Sequence, residues 1–304
     1  MKSYTTLRNQ YARLTKDTSS ANLTVGDELI NDELRYINAL KDWSWLHRLR
    51  TDTTVASTQA ITFPHDLDQL DTLFVTVSSR RYTPKIIHSR QEWDLLNDTS
   101  FTSDIPTHAF VTFGAVELFP TPASSGNTVT FVGKVRVIDL NRTDFTTGTI
   151  ESTANGDATI VGSGTAWTSP MAGRWIRITN TDTAASSGDG VWYEISSITD
   201  ATNLETVRTY GGTTLAASAG GAYTMGQMPL LPEAFHDMPV FKAAATHWYN
   251  NEDSVKGDKY NAIYTDKRKT LFEHYDSETT DVVLDDGLHH HGDHHHNPNL
   301  YLTL

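Results

Sequence analysis

Apolar residues recur at helical spacing near both ends of this 304-residue chain and at strand spacing through its middle, a division that limits how it can fold. In residues 3–16, Tyr4, Leu7, Tyr11 and Leu14 share one helical face. After a linker rich in Ser, Thr and Asn, Thr24 stands three residues before Asp27, which predicts an N-cap with an acidic first turn. Leu29, Ile30, Leu34, Ile37 and Leu40 extend that apolar face to about Trp43, a helix of about 30 Å at 1.5 Å per residue. Towards the other end, Pro232 at a first-turn position and Glu233 at the positive end of the helix dipole predict a helix start at 231–233. Phe235, Met238, Val240, Phe241 and Ala244 form its apolar face, and a further helix over 253–275 carries Tyr260, Ile263, Tyr264, Leu271 and Phe272. Such faces must pack on one another to be buried. The expected class is α+β, a discontinuous helical bundle from the N- and C-terminal helices with a β-rich middle and an inserted small all-β barrel or sandwich.

Between the helical ends, short runs rich in Thr, Val, Ile and Phe predict strands near 53–63, 73–77, 81–86, 109–113, 116–119, 128–132 and 135–139. Ser89 and Glu92 form a capping box ahead of Trp93, Leu95 and Leu96, which predicts one short helix among them. From 146 to 227 Thr, Ser, Gly and Ala dominate, and strands are predicted at 149–152, 158–161, 175–179, 191–198 and 205–209, joined by turns such as Ser187-Gly188-Asp189-Gly190. Strands of that number and length suffice for a small barrel or sandwich. The expected units are a core of residues 1–145 and 228–275, an inserted β domain of 146–227, and an acidic, His-rich tail of 276–304.

No run approaches the roughly 18 consecutive apolar residues of a membrane helix, and the opening MKSYTTLRNQYARLTK lacks an apolar signal region. No membrane partner is expected, and assembly is expected in a cytoplasm. The absence of cysteine excludes disulfides and thiolate metal sites. A formal charge of -13 argues against gripping nucleic acid by its phosphates, which needs clustered Lys and Arg. An acidic wall suits a conduit through which DNA slides without sticking, although ordinary soluble proteins also carry acidic surfaces.

The strongest metal-like feature is His289, His290, His291, His294, His295 and His296, since neutral imidazoles at short spacing can bind Zn, Ni or Cu. The plainer reading is a solvated, pH-sensitive tail, because no group that would orient the ligands is visible beside them. The same tail holds six acidic residues and no Lys or Arg, and its apolar Leu300, Tyr301, Leu302 and Leu304 suggest docking on a partner. Gly162-Ser163-Gly164 sits in a Thr-rich β context without the strand-to-helix turn of a nucleophile elbow, and no H-E-x-x-H, Walker A loop or dinucleotide fingerprint is present. No catalytic or cofactor-binding residue is therefore assigned. Trp167, Trp175, Trp192 and Tyr193 can be read as a sugar-binding platform, but their alternation with polar residues favours core packing. Arg80, Arg81, Lys85 and Arg90 form a modest basic patch, better suited to an intersubunit salt bridge than to DNA.

Three stretches resemble the head-to-tail adaptor proteins of tailed phages. AITFPHDLDQLDTLFVTVSSRRYTPKIIHSRQEWDLL is similar to that family's strand, proline turn, strand pair and capped helix. AVELFPTPASSGNTVTFVGKVRV resembles the strand, P-x-P turn and strand that return to the core, and LPEAFHDMPVFKAAATHWY its first C-terminal helix. Within the insertion, GTIESTANGDATIVGSGTAWTSPMAGRWIRI and GVWYEISSITDATNLET are similar to a small β domain of phage virion proteins. The resemblance implies a non-enzymatic neck protein, usually a ring of twelve copies, bound to the portal protein on one side and to a tail tube or nozzle on the other. It also implies that dsDNA passes through the lumen without sequence-specific binding, and that the C-terminal extension with Leu300, Tyr301, Leu302 and Leu304 reaches into the portal. A carbohydrate-binding or decorating virion protein, using the inserted β domain, is the alternative.

Overall fold

Two serines set the N-terminal helices. Ser3 caps α1 (Tyr4–Thr15) by accepting the Thr6 N–H, and Ser19 caps α2 (Ser20–Ala39) by accepting the Asn22 N–H at 3.3 Å. The expected cap at Thr24 is not one: its hydroxyl donates to the Ser20 carbonyl inside the helix. The helix also stops at Ala39, short of Trp43, whose indole N–H donates at 2.7 Å to the Ile37 carbonyl that the Leu40 N–H also reaches at the helix end. The computed structural model describes residues 1–97, 101–181 and 185–276.

Towards the C-terminus the first helix starts later than expected. Residues Glu233–Phe235 make a 3-10 turn, and α4 (Met238–Asn250) begins beyond it with Pro239 in its first turn. The last described helix is longer, Ser254–Asp276, and is α5 once the short helix Arg90–Leu96 is counted as α3. Helices from both ends share one apolar cluster, in which Leu7, Tyr11, Ile30, Leu34 and Ile37 meet Met238, Val240, Tyr264 and Leu271. Each such side chain withdrawn from water contributes about 1.5–3 kcal/mol. At Gly26 the pair α1 and α2 comes so close that a Cβ would lie 2.3 Å from the Tyr11 ring.

The middle of the chain forms two four-stranded sheets that pack face to face. One, in the order β1 (His47–Thr53), β8 (Thr128–Val135), β3 (Leu67–Val77), β4 (Arg80–Tyr82), is antiparallel throughout. The other runs β2 (Ala60–Thr62), β7 (Ala115–Phe119), β6 (His108–Thr112), β5 (Lys85–Ile87), with β5 parallel to β6. Leu73, Val75, Val129 and Phe131 from the first meet Ile61, Ala109, Val116 and Leu118 from the second in one core. The strand expected over 53–63 is divided between the two sheets, with Ser57 at φ 59° in the connecting turn. Conversely, the strands expected at 128–132 and 135–139 reduce to β8 alone, which Gly133 does not break and which ends at Val135, with 136–139 outside any strand. Gly133 admits the Gln69 carbonyl of a bulged β3, which would lie 2.2 Å from a Cβ at that position.

A third sheet of six strands follows the order β14 (Tyr223–Gly226), β11 (Trp175–Ile178), β12 (Trp192–Ile198), β13 (Asn203–Thr206), β10 (Thr159–Ser163), β9 (Thr149–Ser152). Its sixth strand, β14, was absent from the expected five. Ile150 of β9 exchanges both backbone hydrogen bonds with Gly221, just ahead of β14, so the two outer strands meet and the sheet curls upon itself. Ile150, Ile160, Ile176, Ile195, Leu204 and Met225 fill a core separate from the other two.

Candidate interaction surfaces

The six-stranded sheet leaves and rejoins the rest of the chain through two neighbouring strands of backbone. Phe145 and Met225 exchange both N–H···O bonds at 2.8 Å. Polar side chains of the helical end fasten this junction. The Asn31 amide accepts from the Leu140 N–H at 2.8 Å and donates to the Leu140 carbonyl at 3.1 Å. Gln227 accepts from the N–H groups of Asn141 and Arg142 and donates to the Asp139 carbonyl, while its own carbonyl takes the Tyr4 N–H. Ser3 donates to Asp144 at 2.9 Å, and Thr5 accepts from the Asp144 N–H. Nearby, burial lowers the pKa of Arg174, and the Arg142 charge lowers it further while Asp144 opposes.

Within this domain the four aromatic residues divide between core and surface, as the core-packing reading expects for two of them. Trp167 and Tyr193 are buried: the Trp167 indole donates to the Tyr223 hydroxyl, and Tyr193 donates to Asp189. Burial, and then that bond, push the Tyr193 phenol up to about 12. Trp175 and Trp192 lie half-buried on the other face of β11 and β12, where the Arg177 guanidinium stacks 4.8 Å from the Trp192 ring. Gly162-Ser163 ends β10 at a register shift, and Gly164 follows at φ 63°, so the triplet is a strand end and turn.

The basic residues Arg80, Arg81, Lys85 and Arg90 are exposed around β4, β5 and the start of α3. Arg81 lies 4.6 Å over the Phe74 ring, Lys85 faces Glu92 at 3.6 Å, and Arg90 pairs with Asp94 at 2.9 Å. Beside them a cleft of about 660 Å³ opens at the end of the paired sheets, between apolar Phe63, Leu70, Ile86 and Val111 and the polar His65 and His88. Phe113, at the β6–β7 turn on its rim, is wholly exposed, as is most of Leu95 on α3. On α2 and its C-cap, Val25, Tyr36 and Leu40 are exposed on one side of the helix, with the Arg268 guanidinium of α5 5.5 Å over the Tyr36 ring.

Among the described residues no three His, Asp or Glu side chains converge to hold a metal ion, and no helix is long and apolar enough to cross a membrane. His289–296 and the apolar Leu300, Tyr301, Leu302 and Leu304 lie outside the described residues.

The two packed sheets and the helices of the first 40 residues fall within one match: the family model of the SU10 adaptor protein matches residues 2–154, half of the chain. The chain belongs to that adaptor family. The matched span takes in α1, α2, α3, both four-stranded sheets and the first strand of the third. No curated protein matches the sequence.

In this adaptor, Asn31, Gln227 and Asn22 were not legible as functional residues. They are polar groups in helices or turns whose work is to bond distant backbone or, for Asn22, to accept the Tyr11 hydroxyl at 3.1 Å. The only hint in sequence is a polar residue standing between apolar positions of one helical face, as Asn31 does after Ile30.

Proposed function

We propose that the chain is a non-enzymatic head-to-tail adaptor of a tailed phage, acting in the virion neck as a homo-oligomeric ring, of twelve copies, that continues the DNA channel between the portal protein and the tail tube or nozzle. The observation that carries this reading is the adaptor-family match over residues 2–154. In the ring each subunit turns unlike patches to its two neighbours, a heterologous contact that closes when the rotation fits, and a permanent interface of this kind buries about 2,000 Å² or more. The exposed Val25 and Leu40, and Phe113 at its cleft, supply apolar surface for such contacts. The charge of -13 suits a lumen that dsDNA passes without sequence-specific binding.

In this reading the helices of both ends form the ring wall as a discontinuous bundle, and residues 1–145 with 228–275 make up the adaptor core. The closed sheet of 146–227 is an inserted domain that projects outward or towards the tail. The tail segment 276–304 docks on the portal through Leu300, Tyr301, Leu302 and Leu304, and assembly takes place in the host cytoplasm. Particle images of the purified chain, alone and mixed with portal rings, test the proposal. Twelve-fold rings seated on the portal are expected; monomers that never join portal rings overturn it. Deleting residues 297–304 is expected to leave the fold intact and weaken portal attachment.

A further inference from the structure

Of the four aromatic residues singled out between 146 and 227, Trp167 and Tyr193 belong to the core of the third sheet, and Trp175 and Trp192 do not. Alternation decides their side. Ile176 and Ile178 of β11 and Tyr193 and Ile195 of β12 are buried, so Trp175, Arg177, Trp192 and Glu194 stand on the outer face. The register then sets their order. Arg177 lies between Trp192 of β12 and Thr224 of β14, and Trp175 is opposite Glu194 in the next row. The two tryptophans are therefore diagonal neighbours, about 7–8 Å apart, close enough for one small ligand to touch both.

Arg177 is the unusual member of this face. Its guanidinium lies 4.8 Å from the centre of the Trp192 ring and makes no hydrogen bond or ion pair among the described residues. The Nε is shut off from water and donates to nothing, so stacking alone holds the group. Partners are not scarce in a chain with 37 Asp and Glu against 24 Lys and Arg, yet Glu194, one row away, does not pair with it. Two indoles, an unpaired guanidinium, a carboxylate and the Thr224 hydroxyl form the mixture of aromatic surface and few polar groups that fixes the orientation of a small ligand.

The chemistry of these groups selects one class of ligand. The electron-rich faces of the indoles suit the C–H faces of a pyranose ring, a guanidinium pairs with a carboxylate through parallel N–H···O bonds, and a carboxylate and a hydroxyl satisfy sugar hydroxyls. Charge argues against nucleic acid, because residues 146–227 hold seven Asp and Glu against three Arg and no Lys, and a run of phosphates needs a row of cations. We propose that the outer face of β11 and β12 binds an acidic saccharide, a glycan containing uronic acid, with its rings on Trp175 and Trp192, its carboxylate on Arg177 and its hydroxyls on Glu194 and Thr224. The site lies wholly within the third sheet, so it goes beyond the adaptor reading and stands or falls separately from the ring.

Calorimetric titration of the full chain with oligogalacturonate and oligomannuronate tests it, with neutral oligogalactose, a thymidine oligonucleotide and a Glu-rich peptide as the other arms. At least one uronate is expected to bind with a Kd of about 1 mM or tighter, and the neutral sugar about tenfold more weakly. Trp192→Ala is expected to weaken uronate binding by about tenfold. Because loss of a half-buried ring can loosen the sheet, Arg177→Gln is the second variant: its melting temperature should stay unchanged while the preference for the acidic sugar disappears. Failure of both uronates to bind, equal binding of the neutral sugar, tighter binding of the oligonucleotide or the peptide, or full uronate binding by Arg177→Gln would each overturn the proposal.

Discussion

The Tyr264 hydroxyl donates to the Glu33 carboxylate inside the helical core, tying α5 to α2 across 231 positions of sequence. Burial raises the pKa of Glu33, and the Tyr264 bond only partly offsets it. A carboxyl whose folded pKa is raised binds its proton more tightly when folded, so stability declines as pH climbs from its ordinary value of about 4.5 through the folded value. Glu33→Gln keeps an acceptor for Tyr264 and cannot ionise. Thermal melts between pH 4 and 8 should show the wild type losing ground to this variant as pH rises. A constant difference would show that the carboxylate's burial carries no cost.

His236 is almost wholly buried, with its Nδ1 facing the Lys2 N–H at 3.1 Å and its Nε2 facing the Leu231 carbonyl at 3.0 Å. The neutral tautomer with hydrogen on Nε2 satisfies both. Burial depresses its pKa below 6.5, so its contribution is complete above that value and is lost as pH falls below it, when the unfolded chain takes up the proton first. His236→Gln should flatten the slope of melting temperature against pH between about 6.5 and 5. An unchanged slope would assign the acid sensitivity to other groups.

Gly26 faces the Tyr11 ring with no room for a methyl group. Gly26→Ala improves helix propensity by about 1 kcal/mol, yet overpacking in a filled core costs about 1–3 kcal/mol. The net expectation is a lower melting temperature, with the Tyr11–Asn22 hydrogen bond strained or broken. Chemical denaturation would show a stabilised protein if helix propensity dominates.

Removing the Asn31 side chain as Asn31→Ala strands the Leu140 N–H and carbonyl, for a loss of about 1–3 kcal/mol per group. Limited proteolysis should then cut first near residues 139–146, where the third sheet joins the helices. Trp192→Ala, on a half-buried face, should leave that junction as resistant as before.

The helical ends were legible because Leu7, Tyr11, Ile30, Ile37 and Met238 repeat at a spacing that only a helix satisfies, and Ser89 because its capping box precedes an apolar run. What failed were choices between competing local signals. Thr24 and Asp27 offer as good a local cap as Ser19, but the helix starts at Ser20, where Asn22 in its first turn accepts the Tyr11 hydroxyl. Gly133 reads as a break until the Gln69 carbonyl is seen to need its missing side chain. Strand β14, only Tyr223–Gly226, is too short to show alternation and exists because β11 lies beside it. The candidate surfaces were less visible still: Arg80, Arg81, Lys85 and Arg90 were found as charges, but Phe113 acquires meaning only at the rim of a cleft assembled from both sheets.

The backbone crosses from the helices to the third sheet and back at adjacent points, where Phe145 and Met225 are bonded to each other. To the remainder of the protein, the 79 residues between those two positions amount to a wide hairpin loop, whose cost in closure entropy grows only as the logarithm of its length. Lengthening or shortening that loop should therefore change the closure cost by little, because the Phe145–Met225 pairing fixes its two ends whatever lies between them.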